Sequence, residues 1–367
     1  MKRLIFCLSG NPHRNSRALR QTQSLAAEFA ITALGFGPRQ PRPDFRHEPI
    51  ATPSGTGPIY FWRLHKIFMS KLGERDADLL HASDLYALPA VARRAQTLGT
   101  PYTYDARELY PNVAAISRSP AKRLFWKTIE QRYIRNTSLV ITVSDSIAAL
   151  LTERYNISRP LVIPNTPTWQ SPDISSYLRT WAGIPEDQTI ILHQGQMREN
   201  RGCEQLLEAL CILNNAHVVF LGNGPTKPAL QQQARKLNID RLVHFHDAVA
   251  PDQLLDITAS ADIGVTLLQD TCLNHRYALP NKLFEYIMAG IPVCGSNLPE
   301  ISRVILDHNV GLTTNINNTN ELAQTLQYMI DHPDQRSVWS ENARVAAETL
   351  NWSTASQVFL KSFVSLV

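Results

Sequence analysis

The residues best suited to chemistry lie in two short segments of the second half of the chain. Arg201 follows a loop that contains Gly195, and a helix is predicted to begin just after it. An arginine beside the free N–H groups of a helix start can bind a diphosphate, and it can equally be a plain exposed arginine. Lys282 and Glu285 lie one turn apart on a second predicted helix. This carboxylate can accept two hydrogen bonds from a ribose diol, or it can simply stabilise the helix start.

Two further glycines, Gly222 and Gly224, follow another predicted strand. They permit a close approach of the backbone to a ligand, and a plain turn between strand and helix needs the same residues. The dinucleotide-binding pattern G-x-G-x-x-G requires glycine where this sequence has Lys227, and no Walker pattern occurs. An ordinary NAD enzyme or P-loop ATPase is therefore disfavoured.

The elements that must position these residues alternate along nearly the whole chain. Short apolar runs separate longer helical patterns, which is typical of parallel strands buried on both faces. The runs span residues 4–8, 77–81, 102–104, 139–143, 161–163, 189–193, 217–221, 242–245, 263–267, 291–294 and 310–312. The helical patterns include 85–98, 146–155, 204–213 and 282–289. The alternation predicts a doubly wound α/β fold, in which ligands bind beyond the carboxyl ends of the strands.

A proline-rich segment divides the chain. Three prolines between Ile163 and Pro172 cannot continue a strand or a helix, so we predict a hinge there. A length of 367 residues allows two domains of ordinary size. We predict a first domain over 1–168, a second over 169–350 and a final helix over 351–367.

The charge distribution separates the same two halves. Residues 1–170 contain 23 Lys and Arg against 12 Asp and Glu, whereas residues 171–367 contain 13 against 20. A basic first half suits nucleic acid, an anionic membrane surface or phosphorylated ligands. Because no motif that reads nucleic acid occurs, we do not expect a nucleic-acid partner. The five cysteines include no C-x-x-C pair, which fits a reducing cytoplasm.

Taken in order, segments from both halves resemble the family 4 glycosyltransferases, which are retaining enzymes of GT-B architecture. The segments are Ala77–Asp84, Tyr104–Pro111, Val140–Ser144, Val162–Asn165, Gln194–Gly202, Leu221–Pro225, Ala261–Leu267 and Pro280–Pro299. The resemblance covers essentially the whole chain. It implies two Rossmann-like doubly wound domains that face a cleft, with a C-terminal helix that crosses back to the first domain.

The resemblance also implies a reaction and its residues. A sugar would pass from a nucleotide diphosphate sugar, a co-substrate, to a glycan or lipid-linked acceptor, with retention and with no metal ion or other cofactor. The implied donor-binding residues are Gly10, Gly195, Arg201, Gly222, Gly224, Val249, Leu279, Pro280, Asn281, Lys282 and Glu285. The implied catalytic residues are Asp105, Arg107, Arg201 and Lys282, and the acceptor-side residues are His81, Asp84 and Glu108.

The sequence departs from the family pattern at three positions. Gln196 stands for an arginine and Tyr277 for a glutamate, as in one recognisable branch, and Arg107 stands for a histidine. An arginine cannot shuttle a proton because its pKa stays above about 12. The leaving phosphate can itself accept the proton of the acceptor. Arg107 would then support the leaving phosphate or an anionic acceptor, or it marks a lost reaction site.

Two alternatives to a transferase therefore stay open. One is a non-catalytic GT-B-like subunit that binds a nucleotide sugar or a glycan, motivated by Arg107 and Tyr277. The other is a sugar-nucleotide epimerase of the GT-B fold, against which the Arg201 loop and the Pro280–Lys282 segment argue. The sequence does not give the base, the sugar, the acceptor or the linkage.

The first half leaves three local questions open. His81 at a strand end is as well explained by packing as by chemistry. In the loop from Ser9 to Asn15 the useful residue is Gly10, while Arg14 and Arg17 can simply be solvated. The stretches 58–73 and 118–136 mix aromatic and basic residues. Their aromatic faces pack on the sheet, or they dock a cytoplasmic protein peripherally on an anionic membrane at its inner face.

Overall fold

The structure, a computed structural model, describes residues 1–173 and 175–367. The chain divides into two compact units, one of residues 1–164 and 354–367 and the other of residues 165–353. The division after residue 164 falls inside the proline-rich segment, and the sequence-based boundaries lie nearby at 168 and 350. In the described residues, each unit contains one sheet in which every paired strand is parallel.

The first unit has a seven-stranded sheet in the order β3-β2-β1-β4-β5-β6-β7. Its strands are β1 (Lys2–Cys7), β2 (Phe29–Gly35), β3 (Arg46–Pro49), β4 (Leu79–Ala82), β5 (Tyr102–Ala106), β6 (Leu139–Thr142) and β7 (Leu161–Val162). Its connecting helices are α1 (Ser16–Leu25), α2 (Gly57–Gly73), α3 (Leu88–Leu98), α4 (Ala114–Ser117), α5 (Pro120–Ile134) and α6 (Asp145–Tyr155). A short 3₁₀ turn (Tyr110–Asn112) precedes α4.

The second unit has a six-stranded sheet in the order β10-β9-β8-β11-β12-β13. Its strands are β8 (Thr189–Gln194), β9 (Ala216–Leu221), β10 (Val243–His246), β11 (Ile263–Thr266), β12 (Val293–Ser296) and β13 (Gly311–Thr314). Its helices are α7 (Tyr177–Ala182), α8 (Cys203–Leu210), α9 (Lys227–Lys236), α10 (Leu254–Ala259), α11 (Leu273–Arg276), α12 (Asn281–Met288), α13 (Pro299–Asp307), α14 (Thr319–Asp331) and α15 (Pro333–Ala347). The doubly wound pattern predicted from the sequence is confirmed.

The sequence prediction missed two strands of the first unit. The strand β2, with the sequence FAITALG, mixes alanine, threonine and glycine, so it forms no continuous apolar run. The strand β3, with the sequence RHEP, is polar and lies at the edge of the sheet. Edge strands tolerate polar residues and proline because one side is unpaired. Each of the eleven predicted runs overlaps an observed strand.

The last helix, α16 (Trp352–Val364), returns to the first unit. It starts at the end of the second unit, and its residues from Thr354 onward belong to the first. Phe359 and Phe363 are fully buried, and the Phe363 ring lies 5.6 Å from the ring of His81. The predicted return of the C-terminal helix is confirmed.

The strand order brings particular loops together. In the first unit β1, β4 and β5 are neighbours, so the loops that follow them share one edge of the sheet. In the second unit β9, β8, β11 and β12 are neighbours, and their following loops do the same. These two edges carry most of the residues singled out above. Within the described residues, no helix combines the length and the apolar character needed to cross a membrane.

Candidate active site

The helix α12 is fixed on the second sheet by an apolar stripe. Leu283, Phe284, Ile287 and Met288, which recur in the sequence at helical spacing, are all buried. The neighbouring Tyr286 is fully buried as well, and its hydroxyl accepts a hydrogen bond of 2.9 Å from the backbone N–H of residue 194. This contact ties the helix to the end of β8, so the polar residues at the start of α12 are held at the carboxyl edge of the sheet.

Glu285 is held by a short chain of hydrogen bonds. Its Oε2 accepts from Gln194 Nε2 at 2.5 Å. The Oε1 of Gln194 in turn accepts from the hydroxyl of Thr258 at 2.5 Å. Gln194 and Thr258 are buried, whereas Glu285 is only partly buried. The carboxylate is therefore pre-oriented while part of it stays accessible, as a group that accepts a sugar diol must be.

Lys282 lies one turn earlier on α12, beside the end of β8. Its Nζ is 3.2 Å from Nε2 of His193, and that ring nitrogen is also 3.5 Å from the sulfur of Cys203. Burial is the main cause that lowers the pKa of Lys282 to about 7, and Arg201 acts in the same direction. Burial likewise places the pKa of His193 well below its ordinary value, so the imidazole is neutral.

Arg201 precedes the first turn of α8. The helix begins at Cys203, and Gly202 caps it with a φ of 69°. The positive charge of Arg201 lowers the pKa values of both Lys282 and His193, which places the three groups in one electrostatic environment. The free N–H groups at the start of α8 add to this positive potential.

The glycines of the neighbouring loops serve protein packing first. A side-chain carbon at Gly222 would lie 2.3 Å from the carbonyl oxygen of Gly195, and the φ of Gly222 is 140°. A side-chain carbon at Gly224 would lie 2.0 Å from the carbonyl oxygen of Met197. The close approach inferred from the sequence is thus an approach between two loops of the protein itself. Contact of these glycines with a donor stays a prediction.

The remaining donor-side positions differ in exposure. Asn281 is partly buried, and its Oδ1 accepts a hydrogen bond of 2.6 Å from Asn165. Leu279 is buried in the core, and Pro280 lies at the cap of α12. Val249 packs against the same core from the loop after β10. The structure gathers Arg201, Lys282 and Glu285 with these residues in one unit, and their individual roles stay predictions.

In the first unit, Asp105 forms a fully buried ion pair with Arg17. Arg17 Nε and Nη2 donate to its two carboxylate oxygens at 2.7 and 2.9 Å, and Gln21 adds a third bond at 2.8 Å. Burial would raise the pKa of Asp105, but Arg17 outweighs it and holds that pKa below its usual value. With both oxygens taken, Asp105 acts as a structural anchor in this geometry, and Arg17 is not solvated as the sequence suggested.

Asp84 holds the loop after β1. Its Oδ2 accepts from the backbone N–H and the hydroxyl of Ser9 at 2.8 and 2.6 Å, and its Oδ1 accepts from the N–H of Ala87 at 3.0 Å. It is fully buried, so it holds this loop in place rather than presenting a carboxylate to a ligand. A side-chain carbon at the adjacent Gly10 would meet only Leu8, at 3.6 Å, so packing does not explain that glycine.

His81 is a packed histidine. It is fully buried, its Nδ1 lies 2.7 Å from the hydroxyl of Thr103, and its ring lies 4.5 Å from that of Phe6. Burial lowers its pKa to about 4. Of the two interpretations left open by the sequence, the structure favours packing. Glu108, by contrast, is exposed just after β5.

Arg107 lies at the same edge, partly buried among aromatic rings. Its Nε donates to the hydroxyl of Tyr110 at 3.3 Å. Burial alone would lower its pKa, but Tyr110 and Asp84 outweigh this and raise it, so the guanidinium stays charged. The ring of Tyr110 lies 5.5 Å from that of Tyr86, which continues toward Trp126 at 5.1 Å.

An acidic pair elsewhere in the first unit interacts with a nearby arginine. Asp76 and Asp78, an Asp-x-Asp pair at the start of β4, lie 3.8 and 3.6 Å from guanidinium nitrogens of Arg3. Asp78 also accepts the backbone N–H of Arg3. Among residues 1–173 and 175–367, no group of three or more His, Cys, Asp or Glu side chains could hold a metal ion.

Sequence reasoning assigned no role to several residues that shape both edges. Gln194, Thr258, His193 and Cys203 complete the surroundings of α12, and they are recognised only when β8, α8, α10 and α12 are brought together. The burial of Arg17 could have been expected from helical spacing, since Gln21 lies four residues later on the same face of α1, but its pairing with Asp105 could not.

Family comparisons agree with this architecture. The family described as "Glycosyl transferases group 1" matches residues 178–346, and the family described as "Glycosyl transferase 4-like domain" matches residues 13–166. The lipopolysaccharide glucosyltransferase WaaG of Escherichia coli is 26% identical over 284 residues, which cover 74% of this chain and 70% of that protein. The chain spans 40 to 70% of the length of the curated relatives it matches, and less than two thirds of most of them.

Solved structures show the same fold. Sucrose-phosphate synthase from Thermosynechococcus elongatus superposes with a TM-score of 0.82 at 16% identity, and both chains are covered completely. The Anabaena protein HepE, solved in complex with UDP, superposes with a TM-score of 0.79 at 17% identity, again over both whole chains. With two family matches that together span both units, the chain belongs to the family 4-like glycosyltransferases of the GT-B fold.

Proposed function

We propose that this protein is a retaining, metal-independent glycosyltransferase that moves a sugar from a nucleotide diphosphate sugar to a glycan or lipid-linked acceptor. The proposal rests on the arrangement of three side chains at the carboxyl edge of the second sheet. There a pre-oriented carboxylate, Glu285, lies one turn from Lys282, and Arg201 stands at the start of α8.

In this proposal Glu285 receives the ribose hydroxyls of the donor. Lys282, Arg201 and the start of α8 neutralise the negative charge that grows on the leaving diphosphate, which is the largest contribution that such a site can make. The leaving phosphate accepts the proton of the acceptor hydroxyl, so no protein base is required. Arg107 stays charged and supports an anionic group rather than moving a proton.

The experiment is a donor panel. Purified protein is incubated with UDP-, GDP- and ADP-sugars, and binding is read by thermal shift, followed by donor hydrolysis and by transfer to a cell extract. We expect one nucleotide class to stabilise the protein and its sugar to be released slowly in the absence of acceptor. Since WaaG is named a lipopolysaccharide glucosyltransferase and HepE was solved with UDP, UDP-glucose is the first donor to test.

Matched variants separate a real site from background hydrolysis. Arg201→Ala and Glu285→Ala should abolish the hydrolysis, whereas Arg235→Ala and Glu348→Ala, at exposed positions of the same unit, should leave it unchanged. Hydrolysis that survives in both site variants would contradict the proposal. Tight nucleotide binding with neither hydrolysis nor transfer would favour the alternative, a non-catalytic subunit, which Arg107 and Tyr277 motivate.

We further propose that the first unit docks on an anionic membrane surface. Large apolar side chains of α2 and α5 remain exposed: Ile59, Trp62, Leu124 and Phe125. The two helices are in contact where the rings of Phe61 and Trp126 lie 4.6 Å apart, so they are neighbours in the first unit. Basic residues of the same helices are Arg63, Lys66, Lys122, Arg123 and Lys127.

Such a surface combines apolar anchors with cations, each worth about 1 kcal/mol near an anionic bilayer. It would place the enzyme at the inner face of the membrane, where a lipid-linked acceptor of surface polysaccharide synthesis is presented. Co-sedimentation with anionic liposomes should exceed that with neutral ones and should fall when Trp62 and Phe125 are both changed to Ser. Changing Leu306 and Val345, equally exposed in the second unit, should have no effect. Equal binding to both liposome types would contradict the proposal.

A further inference from the structure

The amine of Lys282 has an unusual set of neighbours. Its Nζ makes one hydrogen bond in the described part of the chain, to Nε2 of His193 at 3.2 Å, and no carboxylate there lies within ion-pair distance of it. The nearby Glu285 is oriented toward Gln194 instead. A lysine whose single partner is an imidazole lacks the anion that normally stabilises a partly buried ammonium group.

His193 is built into the protein rather than placed at its surface. It is fully buried at the end of β8, its ring lies 5.4 Å from that of Phe220, and Cys203 contacts the same Nε2 that faces Lys282. Its Nδ1 is buried without a partner among the described residues. The ring is thus fixed by packing and presents one nitrogen to the amine.

The charged and titratable groups around Lys282 are Arg201 and Cys203 at the start of α8, His193 on β8 and Glu285 on α12 itself. Burial opposes a charge on the amine most strongly, and Arg201 acts in the same direction. Together they outweigh Cys203 and Glu285, which favour the charge, so the pKa of Lys282 falls to about 7. Burial raises the pKa of Cys203 to about 12, so its sulfur is a thiol near neutral pH. His193 is neutral for the same reason. His275, on α11, also faces Arg201.

We infer that His193 is the positioning residue of the donor site: its buried ring fixes the amine of Lys282 and shields it from water, so that the amine is largely uncharged without a donor and becomes an ammonium when the donor diphosphate binds. The inference rests on the proposed donor site and adds a proton to its binding step. The diphosphate supplies the anion that the empty site lacks. One proton passes from solvent to Nζ of Lys282, and no covalent bond of donor or protein is formed or broken.

The state of the amine can be measured without any donor. Brief acetylation with acetic anhydride across pH 6 to 10, read by mass spectrometry of tryptic peptides, reports the unprotonated fraction of each lysine. We expect the reactivity of Lys282 to reach half its maximum near pH 7, against about 10.4 for an ordinary lysine. Exposed Lys236 is the internal reference. A Lys282 profile that follows the reference would overturn the inference.

The coupling between nucleotide binding and protonation of Lys282 is measured by titration calorimetry with UDP at pH 8.0, in buffers of different ionisation enthalpy. The terminal phosphate of UDP, with a pKa of about 6, is already ionised there, so uptake reports on the protein. We expect the protein to take up nearly one proton for each UDP bound. The association constant for UDP should fall about tenfold per pH unit between pH 7.5 and 9.5. Uptake near zero would overturn the inference. Failure of UDP, GDP and ADP all to bind would instead contradict the proposed donor site, and acetylation still decides the state of the amine.

Two variants test whether the proton uptake depends on Lys282 and on His193. Lys282→Arg, permanently charged, should bind UDP with no proton uptake and a flat pH profile. His193→Ala opens space for water beside the amine, which should then be charged before binding, so uptake should fall below half of the wild-type value. His217→Ala, a histidine change elsewhere on the same sheet, should match the wild type. Unchanged uptake in folded His193→Ala would overturn the role of His193, and if this variant does not fold, Lys282→Arg and the wild-type proton count still decide.

Discussion

The carboxyl edges of the two sheets are built from similar residue types and use them in opposite ways. In the first unit, Arg17 and Asp105 neutralise each other in a buried, bidentate pair. In the second unit, Lys282 has no carboxylate partner within the described residues and meets a neutral imidazole. Charges that are paired inside the protein hold its shape. In our proposal, a lysine without a protein anion takes up its charge when an anion arrives from outside.

Two of the buried histidines, one in each unit, repeat this contrast. His81, on β4, is fixed through Thr103 and lies under the C-terminal helix. His193, on β8, faces the amine of Lys282. Both are neutral because burial lowers their pKa values, but only the second lies against another titratable group that is partly accessible. The first edge is therefore a structural support, whereas in our proposal the second edge responds to the charge of the ligand.

The largest expected effect tests the buried pair of the first unit. Arg17→Met leaves Asp105 buried without its counterion, which should cost about 3–5 kcal/mol of unfolding free energy. Urea unfolding of the variant and of Arg14→Met, a matched change at an exposed position, measures the difference. Arg14→Met should stay within about 0.5 kcal/mol of the wild type. Equal stability of the two variants would show that the pair does not hold the fold.

Removing Lys282, the lysine without a protein anion, should give the reverse result. Lys282→Ala should reduce kcat/KM for the donor about 100- to 1000-fold, because charge on the leaving diphosphate is no longer neutralised. Its unfolding free energy should change little, since no protein anion loses a partner. Steady-state kinetics and urea unfolding, with Lys236→Ala as the control, measure both quantities. A stability loss as large as that of Arg17→Met would remove the contrast between the two edges.

The pH dependence of stability tests the support role of His81. Its pKa is lowered to about 4 in the folded state, so the neutral form favours folding. Full stability is therefore present above the unfolded pKa of about 6.5 and is lost as the pH falls through the folded pKa, by about 3 kcal/mol. His81→Gln removes this titration, so the decline between pH 6.5 and 4 should become shallower. Exposed His332→Gln is the control, and an identical slope in the two variants would contradict the assignment.

The smallest effect should come from the support of Glu285. Thr258→Val removes the hydroxyl that donates to Gln194, so the amide is less well held against the carboxylate. One neutral hydrogen bond of about 1 kcal/mol predicts donor binding about fivefold weaker. Calorimetry with the bound nucleotide measures this. Thr325→Val, whose hydroxyl donates to a backbone carbonyl on α14, should bind the nucleotide like the wild type.

The sequence predicted a structural feature correctly where that feature depends on residues close together in the chain. Eleven apolar runs predicted strands correctly because burial on both faces of a parallel sheet requires them. The strand β3 (Arg46–Pro49) was not predicted because an edge strand of four residues need not be apolar. Arg17 was taken for a solvated residue because its partner, Asp105, is 88 residues away.

By itself, the sequence determined the alternation of strands and helices, the position of the proline-rich break and the family, together with the apolar stripe that seats α12. These depend on spacing between near neighbours, which hydrophobic burial and turn chemistry fix locally. Only the tertiary structure decided which polar groups meet. In it Asp105 pairs with Arg17, Glu285 accepts a hydrogen bond from Gln194, and Lys282 contacts His193. Those outcomes depend on desolvation and on contacts between distant segments, and no spacing in the chain encodes them.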